Sequence, residues 1–171
     1  MDYKMFKSIN RLVGHYSLID MLMILISNKV RYVFIIVLGL MWFRNNSNKK
    51  IVLNAVKSTV FTLLINTLIK LFYFKPRPFM KRRVGILIPS KLDSSFPSKH
   101  TLLVFAVSTS IFLRERILGT ILLGMSMLTG LSRIWVGHHY PSDIIGSAFI
   151  GSLTSVVIDK FSRLFNSFVR L

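Results

Sequence analysis

The sequence predicts an all-α integral membrane protein, a bundle of five to six transmembrane helices with an amphipathic segment at its N-terminus. Hydrophobic residues make up 52% of the 171 residues, and the mean hydropathy of +0.56 is high for a soluble domain. These residues are gathered in several stretches that approach the length of about 20 residues needed to cross a bilayer. Short basic segments separate the stretches, and the length of the chain indicates one domain over residues 1–171.

The first 13 residues have the pattern of an amphipathic helix. One set of positions is apolar and the other is basic: Met5, Phe6, Ile9, Leu12 and Val13 against Lys4, Lys7 and Arg11. Such a pattern is typical of a helix that lies on a membrane surface. The segment lacks the long apolar core and small-residue cleavage site of a signal peptide.

The apolar stretches that follow differ in how many polar residues they contain. Four of them are almost wholly apolar: residues 30–43, 101–113, 117–131 and 144–158. Residues 51–74 are long enough to cross a membrane but carry polar side chains, and residues 16–27 are shorter and contain Asp20. That first stretch is expected to be either a short span or a helix in the membrane interface, which leaves the number of spans at five or six.

Small residues recur in the last apolar stretch. Ser147, Gly151 and Ser155 are spaced four apart. This spacing places them on one helix face, where small side chains let two membrane helices approach closely. We expect this face to pack against another helix.

The charge of the chain bears on both its orientation and its partners. The net charge is +17, and residues 44–50 and 114–116 form basic turns that should lie in the cytoplasm. The connection at residues 75–97 and the turn around His139 would then meet at the outer face. That connection is itself strongly basic, which indicates an anionic substrate, an inverted topology, or a solvated loop that contacts anionic headgroups.

The segment between the last two apolar stretches carries Arg133, His139 and Asp143. Pro141 suits the first turn of a helix, so His139 is expected at the mouth of that helix and Asp143 in its first turn. Residues four apart share a face. Asp143 is therefore predicted to hold one nitrogen of the His139 ring and leave the other free to attack, with Arg133 binding phosphate. The alternative is interfacial polar residues beside a helix-start carboxylate.

Two further clusters are compatible with phosphate. Lys70 ends an apolar stretch and Arg77 follows seven residues later between two prolines, so the two cations could clamp one phosphate; alternatively, Lys70 only extends to the headgroups.

Ser98 is expected to cap the next helix, which begins with Lys99 and His100. Its hydroxyl and the free N–H groups would face an anion and His100 would donate a proton, although a serine there is often only a cap.

Together these residues form three motifs: Lys70-x6-Arg77-Pro78, Pro97-Ser98-Lys99-His100, and Ser132-Arg133-x5-His139-x3-Asp143. Their order and spacing resemble the three signature motifs of the type 2 phosphatidic acid phosphatase (PAP2) superfamily. The chain is also similar to the bacitracin-resistance subgroup of that superfamily. The similarity lies in its short length, its amphipathic start and the residues 73–79, 96–98 and 132–141. Members of that subgroup are undecaprenyl diphosphate phosphatases.

The resemblance implies phosphoryl transfer through a phosphohistidine, with no metal and no cofactor. His139 would be the nucleophile, Asp143 would orient it, and His100 would protonate the departing lipid phosphate. The substrate phosphates would be bound by Lys70, Arg77, Ser98, Lys99 and Arg133.

One position departs from the family pattern. The superfamily most often has glycine where this chain has Lys99, and the bacitracin-resistance subgroup tends to have aspartate. A lysine there could contact the second phosphate of a diphosphate or repel a proton on His100. It could also weaken activity.

The expected substrate is a polyprenyl diphosphate lipid, taken from a bacterial cell membrane that the protein crosses several times, at a site facing the outer side. Phosphatidylglycerol phosphate and phosphatidic acid suit the same chemistry. A non-catalytic protein that binds anionic lipid is the alternative from another class, and a transporter for anions would need charges deeper in the bilayer. Membrane lipids are the expected partners, nucleic acid is not expected, and the oligomeric state is left open.

Overall fold

The computed structural model describes residues 2–168, with side chains to residue 165, and in this part of the chain all the regular structure is helical. Within the described residues seven helices follow one another: α1 Asp2–Asn10, α2 Ser17–Arg44, α3 Asn46–Phe72, α4 Pro78–Lys81, α5 Lys99–Phe112, α6 Arg116–Trp135 and α7 Pro141–Phe168. Four of those described, α2, α3, α6 and α7, are long and apolar enough to cross a membrane. With the shorter apolar helix α5 they form a bundle of five, the lower of the two predicted numbers.

Residues 16–27 are not an element of their own. They join the apolar stretch 30–43 in the single helix α2, because the carboxylate of Asp20 is satisfied without ending the helix. That carboxylate accepts hydrogen bonds from Trp135 Nε1 at 2.7 Å and from the backbone N–H of Gly14 at 2.8 Å. A buried carboxylate with two donors is compatible with an otherwise apolar helix.

Helix α5 lies at the centre of the bundle, packed against α3, α6 and α7. It has 14 residues and is therefore only about 21 Å long. Nearly all its side chains from Thr101 to Ile111 are buried. Because its neighbours enclose it, α5 does not need the length of a helix that faces lipid.

The small residues of α7 pack against α5, as the sequence predicts. Ser147 Oγ accepts a hydrogen bond from the Ser98 N–H at 2.8 Å, and Ser155 Oγ donates to the Ala106 carbonyl at 2.6 Å. A Cβ added to Gly151 would lie 2.4 Å from the Leu102 carbonyl oxygen. The close approach of these two helices fixes the start of α5 beside the start of α7.

Both ends of the bundle match the predicted grouping. The end of α3, the start of α5, the end of α6 and the start of α7 lie together, since Lys75 bonds Asp143 and Arg77 contacts His139. The α2–α3 and α5–α6 turns lie at the other end. The connection at residues 75–97, which contains α4, therefore meets the α6–α7 turn.

Helix α1 forms as the sequence predicts, but its apolar face packs against protein. Phe6 is fully buried in a cluster with Ile134 and Tyr140. The expected contact of this face with a membrane surface is therefore wrong for Phe6, although Met5 and Leu12 stay exposed. Aromatic contact between Phe6 and Tyr140, with ring centroids 5.7 Å apart, attaches α1 to the start of α7.

Candidate active site

The turn between α6 and α7 directs two histidines into the protein. Gly137 has a φ of +85°, a conformation that side-chain-bearing residues rarely adopt. A Cβ there would also lie 2.5 Å from the carbonyl oxygen of Gly85, so the turn packs directly on the 75–97 connection. Helix α7 then begins at Pro141, as predicted. His138 and His139 are held between these two points.

His139 is buried, and its ring is held in one orientation. It is 2% exposed, and its Nδ1 lies 2.7 Å from the Ser95 carbonyl oxygen. A carbonyl only accepts, so Nδ1 carries the proton and Nε2 keeps its lone pair. Arg77 Nη1 lies 3.4 Å from that Nε2. Burial, together with the charges of Arg133 and Arg77, holds the pKa of His139 well below its ordinary value, which keeps the ring neutral.

Asp143 does not form the predicted hydrogen bond to His139. Its Oδ2 lies 3.9 Å from His139 Nδ1, beyond hydrogen-bond distance. The carboxylate instead accepts from Ser95 Oγ, from the backbone N–H of Tyr140 at 2.9 Å and from Lys75 Nζ at 2.6 Å. Asp143 therefore acts through Ser95, whose hydroxyl it binds and whose carbonyl holds the imidazole. His139 and Asp143 do lie near each other, but the residue that accepts the hydrogen bond from His139 is Ser95, in the 75–97 connection.

Lys75 connects the carboxylate of Asp143 to the N-terminal helix. Besides Asp143, its ammonium group donates to Ser142 Oγ at 2.8 Å and to Asp2 at 3.3 Å. Asp2 also accepts from the backbone N–H of Ser142 at 3.0 Å, at the start of α7. Burial lowers the pKa of Lys75, but the hydrogen bond to Asp143 and the charge of that carboxylate raise it above its ordinary value. Lys75 thus stays protonated.

The two cations of the first motif meet, as predicted, and they share one carboxylate. Asp93 accepts from Lys70 Nζ at 3.0 Å and from Arg77 Nη2 at 2.7 Å. Burial favours a higher pKa for Asp93, but the hydrogen bond from Lys70 and the charge of Arg77 lower it below the ordinary value. These donors are suitably placed to bind a phosphate in the same way.

Arg133 is a buried cation with little to neutralise it. It is 6% exposed, Nη1 donates to Ser27 Oγ at 2.7 Å, and Nε has no partner. Among the ion pairs of residues 2–165, none includes Arg133. It repels Arg77, which lies nearby. A buried guanidinium without a carboxylate is costly, and an anion bound beside it would reduce that cost.

The residues of the second motif differ in their exposure to solvent. Ser98 occupies the predicted cap position, but its hydroxyl is fully buried and pairs with Thr101 Oγ1 at 3.1 Å, so it does not face the site in this structure. Lys99 is exposed. His100 Nε2 lies 3.3 Å from Arg31 Nη1, and the charge of Arg133 also acts on this ring. Arg133 therefore lies near both His100 and His139.

His138, which the sequence left without a role, supports the connection. Its Nε2 donates to the Ile88 carbonyl at 2.7 Å, and its backbone carbonyl accepts from Arg77 at 3.3 Å. Burial and the charge of Arg133 lower the pKa of His138 to about 4, so it remains neutral. The side chain therefore contacts the 75–97 connection.

Sequence reasoning missed several residues of this site: Asp2, Ser27, Arg31, Lys75, Asp93 and Ser95. A signal for some of them was available in the composition. The chain has only six acidic residues, and three of them, Asp2, Asp93 and Asp143, lie in this cluster. In so basic a chain, each carboxylate is a candidate partner for the predicted cations.

Comparison with known proteins gives a consistent assignment. Residues 51–165 match the family model described as the PAP2 superfamily. The chain is 41% identical to the undecaprenyl-diphosphatase BcrC of Bacillus subtilis, over 100% of this chain and 89% of that protein. The crystal structure of Aquifex aeolicus LpxE superposes with a TM-score of 0.77 at 27% identity, covering 93% of this chain and 94% of that one. A PAP2-type phosphatidylglycerolphosphate phosphatase from Bacillus subtilis has the same fold, with a TM-score of 0.72 at 17% identity over 94% of this chain and 86% of that one.

Proposed function

Because the chain belongs to the PAP2 superfamily, we propose that it hydrolyses undecaprenyl diphosphate to undecaprenyl phosphate and inorganic phosphate. It is a multi-pass membrane enzyme of the lipid phosphatase class. The observation that carries the proposal is the state of His139, with Nδ1 held by a carbonyl and the unprotonated Nε2 beside Arg77. Such a ring is ready to attack phosphorus.

The first step forms a bond between His139 Nε2 and the terminal phosphorus and breaks the bond from that phosphorus to the bridging oxygen. The leaving group is the lipid monophosphate. His100 supplies its proton, as the family resemblance implies. As the P–N bond forms, positive charge develops on the imidazole, and the chain Ser95 to Asp143 stabilises it through the Nδ1 hydrogen bond.

The cations stabilise the transferring group. In phosphoryl transfer the protein contributes mainly positioning and electrostatic stabilisation. Lys70, Arg77 and Arg133 supply the donors, and a phosphate bound to Lys70 and Arg77 would compete with Asp93 for them. In the second step a water oxygen bonds to the phosphorus as the P–N bond breaks, His100 takes back a proton from that water, and orthophosphate leaves the neutral His139. Ser98 would need to turn from Thr101 to take the direct part predicted for it.

We place the site at the outer face of a bacterial cell membrane. The support is the grouping of the loops: the 75–97 connection and the α6–α7 turn share one end of the bundle, and the basic turns 44–50 and 114–116 share the other. Basic turns favour the cytoplasm. Release of undecaprenyl phosphate there would return a lipid carrier to cell-wall synthesis.

The nearest alternative is a lipid monophosphate as substrate, such as phosphatidylglycerol phosphate or phosphatidic acid. The likeness to the phosphatidylglycerolphosphate phosphatase concerns the fold alone. A protein that only binds anionic lipid would explain the cations but would not require a neutral histidine with an oriented lone pair.

Release of inorganic phosphate by the detergent-solubilised protein tests the proposal. We expect phosphate from undecaprenyl diphosphate at a higher kcat/KM than from phosphatidic acid, with or without a chelator. His139→Ala should lower the rate by at least about 10³-fold, since it removes the nucleophile. His15→Ala, at an exposed histidine, is the matched control. Full turnover by His139→Ala would contradict the assignment.

A further inference from the structure

Arg31 is a cation that none of the three motifs contains, yet it contacts the site. It lies within α2, and its Nη1 is 3.3 Å from His100 Nε2. Its Nη2 donates to Tyr32 Oη at 3.3 Å, and the guanidinium lies 5.1 Å from the centre of that ring. The charge of Arg31 also acts on Arg133. The side chain is therefore oriented toward the reacting groups from a helix outside the motifs.

Neither Arg31 nor Lys99, which precedes His100 in the chain, has a carboxylate partner among the side chains that the structure describes. Both are exposed, and both charges act on His100. This distinguishes them from Lys70 and Arg77, which share Asp93. The His100 side of the site thus carries two accessible positive charges without a neutralising group.

The position of Arg31 determines which phosphate it can reach. His100 must come within hydrogen-bond distance of the oxygen that leaves with the lipid. An oxygen at that place is also within reach of the Arg31 guanidinium, because the two side chains already touch. In a diphosphate lipid that oxygen belongs to a second phosphate, whereas in a monophosphate lipid it belongs to an uncharged alcohol.

We propose that Arg31 and Lys99 form a subsite for the second phosphate of a diphosphate lipid, the phosphate that departs with the lipid. The inference rests on the proposed function and adds to it the residues that select diphosphate over monophosphate. The subsite would stabilise the charge that develops on the leaving phosphate. A guanidinium is well suited to this, since it can donate two hydrogen bonds to one phosphate.

The test compares two substrates and three variants, Arg31→Met, Arg31→Lys and Lys29→Met. We would measure kcat/KM for undecaprenyl diphosphate and for phosphatidic acid, in the wild-type protein and in each variant. Lys29 is the matched control, an exposed cation two residues away that contacts the Tyr32 ring but not His100. Arg31→Met should lower kcat/KM for the diphosphate by about tenfold or more and leave that for phosphatidic acid within about twofold, because only the diphosphate loses a charged partner. Lys29→Met should leave both unchanged, and Arg31→Lys should retain part of the preference.

A second measurement does not depend on turnover of phosphatidic acid, and so serves if that substrate is hydrolysed too slowly for kcat/KM to be determined. Inorganic diphosphate and orthophosphate are compared as competitive inhibitors, and Arg31→Met should weaken inhibition by diphosphate alone. Equal losses for both substrates and both inhibitors, or no loss, would overturn the subsite while leaving the proposed function intact. If wild-type protein releases no phosphate from undecaprenyl diphosphate, the proposed function fails, and the inhibitors still report on the subsite.

Discussion

At the scale of single residues, the site depends on groups that hold the reacting side chains without touching substrate. His139 is oriented by a carbonyl, and the residue that supplies this carbonyl is tied to Asp143. Asp143 is fully buried and depends in turn on Lys75. The His139 ring is thus the end of a chain of three hydrogen bonds that begins at Lys75, and a change at Lys75 should alter catalysis.

Lys75→Met tests this chain of hydrogen bonds. The variant leaves the buried Asp143 carboxylate without its cation, and a charge-assisted hydrogen bond contributes about 1.5–3 kcal/mol. We expect kcat to fall about tenfold or more with little change in KM, because substrate contacts are kept. Lys81→Met, at an exposed lysine of the same connection, is the control. A variant with unchanged kcat would exclude a role for Lys75 in positioning Asp143.

The residue-scale chemistry was only partly predictable from the sequence. The expected grouping of the loops and the family resemblance predicted that Arg77 and His139 would lie at one site, and their side chains lie 3.4 Å apart. They did not predict the partner of Asp143, since Ser95 lies 48 residues away in a connection with no regular pattern. Hydrogen bonds from such a loop depend on its path, which local periodicity does not describe.

At the scale of helices, the N-terminal helix contacts the candidate site through Asp2. The periodicity of its first residues predicted a helix but could not identify what would cover its apolar face, because a membrane and a protein surface are both apolar. The structure buries Phe6 on α6 and α7, and this docking places Asp2 on Lys75 and on the start of α7.

Phe6→Ala tests the docking of α1. Loss of a fully buried phenylalanine typically costs about 3–5 kcal/mol, enough to release a short helix while the five-helix bundle stays folded. We expect faster proteolysis within the first 15 residues and a several-fold lower kcat, since Asp2 would leave Lys75. Met5→Ala, at a side chain that is 50% exposed, should change neither. Normal activity with a released α1 would show that the helix is dispensable for catalysis.

At the scale of the whole molecule, the apolar stretches predicted the bundle, and the basic turns predicted which loops would share an end. The continuity of α2 was not predicted, because an aspartate in an apolar stretch ordinarily argues for a boundary. The hydrogen bonds of the Asp20 carboxylate to Trp135 and Gly14 exist only in the folded bundle. The bundle brings the ends of four helices together, so that Arg77 of the first motif contacts His139 of the third.

The most direct measurement is to locate the phosphoryl group on the enzyme during turnover. Wild-type protein is mixed with undecaprenyl diphosphate labelled at the terminal phosphate, quenched rapidly in alkali, digested and sequenced by tandem mass spectrometry. The label should lie on His139 and be lost in His139→Ala. Label on His138 or on another residue, or phosphate release at full rate with no labelled enzyme at any time, would contradict a reaction that passes through His139.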